Sequence, residues 1–185
     1  MKTEVPDVKT ELWREALSWA KTILGALIFA WLFTNFVIVN AHVPTGSMEA
    51  TIPAPSRIIA FRLSYMFNEP QRGDIIVFRG EEQLLVKRVI GLPGETVSID
   101  NWRVYINDEP LVEEYKQSAF DTRTIIAPHS EFAPVTVPEG HFFVLGDNRD
   151  SSQDSRSWVD PFVPADTILG RALFLYWPRV QVFTR

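Results

Sequence analysis

Between Lys21 and Glu49 the sequence carries no Asp, Glu, Lys or Arg, and Thr22–Val39 is an almost unbroken apolar run. As a helix rising 1.5 Å per residue, such a run spans about 27 Å, close to the ~30 Å hydrocarbon core of a bilayer. Phe29, Trp31, Phe33 and Phe36 leave it without a polar face, and a helix apolar all round must be buried in a large core or in lipid. A chain of 185 residues offers little core of that kind. A cleaved signal peptide would have a shorter apolar region and a small-residue cleavage site. The expectation is therefore an uncleaved transmembrane anchor over residues 22–41. Before it, residues 1–21 mix Lys2, Lys9, Arg14 and Lys21 with Glu4, Asp7, Glu11 and Glu15. Leu12, Trp13, Ala16, Leu17 and Ala20 recur near helical spacing, which predicts an amphipathic lead-in helix from about Thr10. Beyond the anchor the first cation is Arg57, so the balance of Lys and Arg puts the leader inside and the rest of the chain outside.

After the anchor, strand signals dominate. Arg57–Leu63, Asp74–Arg79, Leu84–Ile90, Phe142–Leu145 and Ile168–Trp177 read as strands, and Thr96–Ile99 with Trp102–Ile106 reads as a hairpin turning at Asp100-Asn101. Asn107-Asp108 turns the chain again. Residues 110–136 are less regular: Thr122–Ile126 suggests a strand, while Pro128, Pro134 and Pro138 rule out a long helix. The expected fold is mainly β, an antiparallel β-barrel or sandwich-like domain over residues 42–185, with a small inserted lobe at about 96–136.

Composition narrows the chemistry. There is no cysteine, which excludes a thiol nucleophile, a disulfide framework and cysteine-ligated zinc. The formal net charge is -5, which disfavours a nucleic-acid partner. Nothing in the sequence calls for a cofactor or metal. What remains is Ser47, in Val43-Pro44-Thr45-Gly46-Ser47-Met48 directly after the apolar run. A serine needs a base to act as a nucleophile. His42 lies five positions before it, with no acidic residue evidently placed to orient the ring; His129 and His141 adjoin prolines or glycines of turns. Lys87 lies in the apolar run Leu84–Ile90, and desolvation there would favour its neutral form, the form a general base requires. Lys87 and Arg88 could equally be charged gatekeepers of an exposed strand edge.

Four stretches resemble the bacterial type I signal peptidase family, membrane-anchored serine proteases with a Ser-Lys dyad. They are Pro44–Met48, Arg72–Phe78, Lys87–Gly94 and the polar block Gly146–Arg156, in the family's order and spacing, and the likeness runs from the anchor to about Trp177. The resemblance implies Ser47 as nucleophile and Lys87 as general base. The Ser47 N–H and the Thr45 hydroxyl would be the oxyanion donors, and Ser152 would hold the lysine. Asp154 would pair with Arg156, and Asp147 and Asn148 would be further structural supports. Two positions depart from the family: Ala50 stands where proline is common, and Val159 where glycine is common.

The same resemblance implies cleavage of exported preproteins after small residues, of the Ala-X-Ala type, through an acyl-enzyme. Val43, Met48, Ile52 and Val86 are candidate walls of the substrate pockets, by their proximity to the dyad in sequence. It also implies a single-pass protein of the bacterial inner membrane, with lipid and the secretion machinery as partners. Two alternatives stand beside it: an organellar processing peptidase of the same chemistry, and an anchored β-domain that binds exported chains without cleaving them.

Overall fold

The computed structural model describes residues 8–49, 51–113, 115 and 131–183, which divide into two compact units, residues 1–37 and 38–185. The first is a single helix, α1 (Val8–Phe36). Its Leu12–Phe36 stretch is long and apolar enough to cross a membrane, and its described side chains are exposed. Three of its polar side chains bond back to their own helix. Thr22 Oγ1 donates to the Ser18 carbonyl at 3.0 Å, Thr34 Oγ1 to that of Ala30 at 2.9 Å, and Asn35 Nδ2 to that of Trp31 at 2.7 Å. Polar groups satisfied in this way are tolerated where there is no water.

The expected span over residues 22–41 is divided at its end. The last helical bond runs from the Val37 N–H to the Phe33 carbonyl, and Ile38–Val43 is a strand, β1. The β-branched run Val37-Ile38-Val39 favours the extended form. Val39, Ala41 and Val43 alternate into the core of the second unit, while Asn40 and His42 face outward. The apolar residues at the end of the run thus belong to the β-domain and not to the helix. The lead-in and the apolar run share one continuous helix, and residues 1–7 lie outside the described residues.

The second unit is built from two antiparallel sheets. Its strands after β1 are β2 (Ser56–Phe61), β3 (Ile75–Arg79), β4 (Leu84–Gly91), β5 (Thr96–Asp100), β6 (Arg103–Ile106), β7 (Glu109–Pro110), β8 (Phe132–Thr136), β9 (His141–Leu145), β10 (Val163–Pro164), β11 (Ile168–Trp177) and β12 (Gln181–Val182). The larger sheet runs β1-β2-β11-β3-β4-β9-β10, with β12 also on β11, and the smaller runs β7-β6-β5-β8. β3 is apolar without a break because both of its faces are covered: Ile75 and Val77 enter a cluster with Val43, Met48, Ile52 and Val86, whereas Ile76 and Phe78 join Val89, Phe142 and Val144. A third cluster, including Ile90, Val97, Val104 and Phe143, packs the small sheet against the large one.

Two details depart from the sequence reading. The β5–β6 turn is Asn101-Trp102, with φ of 48° and 65°, so Trp102 turns the chain instead of opening a strand. A two-residue hairpin of this hand needs positive φ at both positions, and here a buried indole occupies a site that usually goes to glycine. β8 contains Pro134, and a proline fits there because β8 is the edge of the small sheet. The strand expected at Thr122–Ile126 lies outside the described residues.

Candidate active site

β1 ends at Val43 and delivers the chain to a single 3-10 turn, Gly46–Met48. Asn148 ties this turn to the polar block, its Nδ2 donating to the Gly46 carbonyl at 3.0 Å and its backbone N–H to the Ser47 carbonyl at 3.1 Å. As the second residue of so short a turn, Ser47 has no intrahelical acceptor for its own N–H. Thr45 precedes the turn in an extended conformation and makes no capping bond with its side chain.

Lys87 arrives on β4, opposite Ile76 of β3, and is 3% exposed. That burial rules out a solvated gatekeeper. Its Nζ donates to Ser152 Oγ at 3.0 Å. Burial pulls its pKa from 10.5 down to about 8; Asp154 opposes that fall, Arg156 adds to it, and Asp147 opposes it. Asp154, beside this pair, titrates below its ordinary range: burial alone would raise it, but the bonds and charge of Arg156, the Gly146 N–H and the neighbouring Ser152 outweigh burial. The Asp154–Arg156 pair is bidentate, at 2.8 and 2.9 Å.

Ser47, Thr45 and Lys87 line one groove of about 300 Å³, together with His42, Val43, Pro44, Gln83–Val86, Ser151 and Gln153. Its two long walls are strand edges. β1 is paired on one side only, by β2, and Leu84–Lys87 is paired by β3 while β9 joins β4 only from Arg88 onward. Among the described residues, both edges facing the groove therefore keep backbone donors and acceptors free of any strand. Ser47 and Lys87 share this groove without a direct hydrogen bond between them, and such contacts are commonly loose until substrate binds.

Of the residues singled out as pocket walls, Val43 and Val86 line the groove. Met48 and Ile52 do not: both are fully buried in the core cluster behind those two. Both point inward because the 3-10 turn and the turn after it fold back on the sheet, the Ile52 N–H reaching the Met48 carbonyl at 2.7 Å. His42 lies at the rim and is exposed, and among the described residues no carboxylate bonds its ring. His141 Nδ1 lies 2.9 Å from the Glu139 carbonyl, away from the groove; His129 and Ala50 lie outside the described residues. Val159 is fully exposed and its φ is not positive, so this backbone position accepts a side chain.

Sequence reasoning offered Arg88 only as a gatekeeper of an exposed strand edge, which its burial excludes. It is 2% exposed and forms a bidentate pair with Asp147 at 2.8 and 2.6 Å. It also donates to the Gly73 carbonyl at 2.8 Å and stacks 3.9 Å from the centre of the Tyr115 ring. Thr51 Oγ1 donates to the same aspartate at 2.5 Å. The signal was present, since a cation beside Lys87 in an apolar strand needs a buried carboxylate. Gly146 was also missed. A Cβ there would overlap both Ser152 Oγ and the Ser47 carbonyl, so this glycine lets the two serines close around the lysine.

The sequence profile of the family described as signal peptidase, peptidase S26, matches residues 16–177. The chain is 42% identical to a signal peptidase I of Leptolyngbya laminosa, over 85% of this chain and 78% of that one. It is 36% identical to signal peptidase I S of Bacillus subtilis, over 89% and 91%. It is also 31% identical to a probable chloroplastic thylakoidal processing peptidase 2 of Arabidopsis thaliana, over 88% of this chain and 44% of that one. The chain belongs to the signal peptidase family, peptidase S26. It is accordingly a peptidase that removes signal peptides from preproteins.

Proposed function

We propose that Ser47 attacks the scissile carbonyl while neutral Lys87 takes its proton. The observation that carries this reading is a lysine buried beside Ser152 on the same groove as Ser47. Lys87 donates one N–H to Ser152, which leaves the lone pair of its neutral form free to aim elsewhere, toward the serine. The Ser47 N–H and the Thr45 hydroxyl receive the charge that develops on the carbonyl oxygen, the kind of stabilisation that dominates acyl transfer. The lysinium then protonates the leaving amine, and deprotonated Lys87 activates the water that hydrolyses the acyl-enzyme. Asp147, Asn148, Asp154 and Arg156 act at one remove, holding the turn and the lysine in register.

An extended substrate adds as a strand between the free edges of β1 and β4, with backbone bonds supplying affinity and alternate side chains entering the walls. Val43 and Val86 make shallow apolar walls, suited to small residues of the Ala-X-Ala kind. Met48 and Ile52 back those walls from the core. With α1 as the single membrane span, residues 1–21 lie in the cytoplasm and the β-domain outside the bacterial inner membrane, among lipid and the secretion machinery. β1 begins two residues after α1, so little chain separates the span from Ser47, which suits substrates anchored in the same membrane. The thylakoidal relative favours one second reading, the same chemistry at a thylakoid membrane.

The test is to incubate the full chain in detergent micelles with a preprotein carrying an Ala-X-Ala site, beside Ser47→Ala and Lys87→Met, each checked for folding. The readout is the new N-terminus by mass. Cleavage at that site by the parent and by neither variant is expected. Cleavage that survives loss of Lys87 overturns the lysine base and points to His42, and a parent that binds preproteins without cutting any overturns the enzyme.

A further inference from the structure

We infer that Glu113, on the irregular segment after β7, is a positioning residue that acts through Arg149 to hold the Lys87–Ser152 pair in register with Ser47. The inference rests on the reading of Lys87 as the base.

Both charges of the Glu113–Arg149 pair are buried, their side chains being 5% and 3% exposed. The guanidinium grips the carboxylate with two nitrogens, Nη1 reaching Oε2 at 3.2 Å and Nη2 lying on Oε1. Its third nitrogen, Nε, donates to the Gly146 carbonyl at 3.0 Å. A side chain at Gly146 would run into both Ser152 Oγ and the Ser47 carbonyl, so the backbone of this glycine lies close against both. The Arg149 carbonyl in turn accepts from Arg156 Nη2 at 2.9 Å, and Arg156 braces Asp154. Arg149 thus joins the Gly146 carbonyl to Glu113 through one side chain.

A second link fixes Glu113 itself. Tyr115 Oη donates to Glu113 Oε1 at 3.2 Å, and the same ring lies under Arg88, the partner of Asp147. Two cations of the active-site framework, Arg88 and Arg149, are therefore held by neighbouring residues of a single segment. Removing the carboxylate strands a buried guanidinium, which must turn away to find water or another acceptor. Its bond to the Gly146 carbonyl goes with it, and Gly146 can then shift against Ser47 and Ser152. Glu113 does not line the groove, so substrate affinity should change little while the chemical step slows.

The test is kcat and KM for preprotein cleavage by the full chain in detergent micelles, for Glu113→Ala, Glu113→Gln, Lys87→Met and the exposed-site control Val112→Ser. Strand circular dichroism checks folding. Small misplacement of catalytic groups is costly, so Glu113→Ala is expected to lower kcat about tenfold or more with KM within about twofold. Glu113→Gln, which keeps an acceptor but not the charge, should fall between, and Val112→Ser should match the parent. Folded Glu113→Ala with parental kcat overturns the inference, as does a rise in KM alone; where the alanine variant does not fold, parental kcat in Glu113→Gln does the same. Activity retained by Lys87→Met defeats the base itself, whereas an inactive Lys87→Met beside a fully active Glu113→Gln defeats only the role of Glu113.

Discussion

Replacing Lys87 by Met should stabilise the fold, and by an amount that depends on pH in a defined way. The folded lysine titrates at about 8 instead of 10.5, mainly because burial penalises its charged form. Below about pH 8 the residue is protonated in both folded and unfolded chains, and the folded state carries the full penalty. Between about 8 and 10.5 the folded chain has released the proton while the unfolded chain still holds it, so stability rises with pH. Above 10.5 both are neutral and the penalty is gone. Each pH unit between the two values is worth about 1.4 kcal/mol, giving a deficit of roughly 3 kcal/mol at neutral pH. Methionine carries the side chain out to Cε without the charge, at the loss of one hydrogen bond to Ser152 worth about 1 kcal/mol at every pH. Urea unfolding of both proteins in detergent, followed by strand circular dichroism at pH values from 7 to 10.5, reads the difference directly. Lys87→Met should lead by about 2 kcal/mol at pH 7, and the lead should shrink steadily above pH 8. A difference that stays flat, or that grows with pH, would refute the claim that burial lowers the lysine's pKa.

Gly146→Ala forces a methyl group into Ser152 and the Ser47 carbonyl. It should cost about 1–3 kcal/mol in urea unfolding and reduce the cleavage rate at least as severely as Glu113→Ala. Thr45→Ala removes one oxyanion donor and should lower kcat about 100- to 1,000-fold with KM little changed, while Thr45→Ser should restore most of the rate. Asp147→Ala leaves Arg88 buried without its carboxylate and should destabilise by about 3–5 kcal/mol, measurable as a lower urea midpoint with an unchanged slope.

Much of this was legible in the chain because it rests on local signals. The uncharged run foretold a helix, and β3, β4, β9 and β11 follow from apolar runs bounded by turn residues. The helix boundary was not legible: Ile38, Val39 and Ala41 are as suited to lipid as to a sheet, and only their pairing with β2 decides between them. Trp102 and β8 were misjudged because burial of an indole and an edge position override the usual preferences at those sites. Ser47, Lys87, Ser152 and Asp154 could be grouped from their segments, and the fold does bring those segments together. Met48 and Ile52 could not be separated from Val43 and Val86, since nearness in sequence says nothing about which side chain faces the groove. Glu113 carried no signal at all, because its bond to Arg149 joins residues that only the tertiary fold makes neighbours.

The most direct measurement is the pH dependence of single-turnover cleavage by the parent chain from pH 6 to 10. With Lys87 titrating at about 8, roughly a tenth of it is neutral at pH 7, and the rate should climb along a one-proton limb with its midpoint near 8. A midpoint near about 6.5, the ordinary range of histidine, that disappears in His42→Ala would contradict the lysine base and assign the proton transfer to His42.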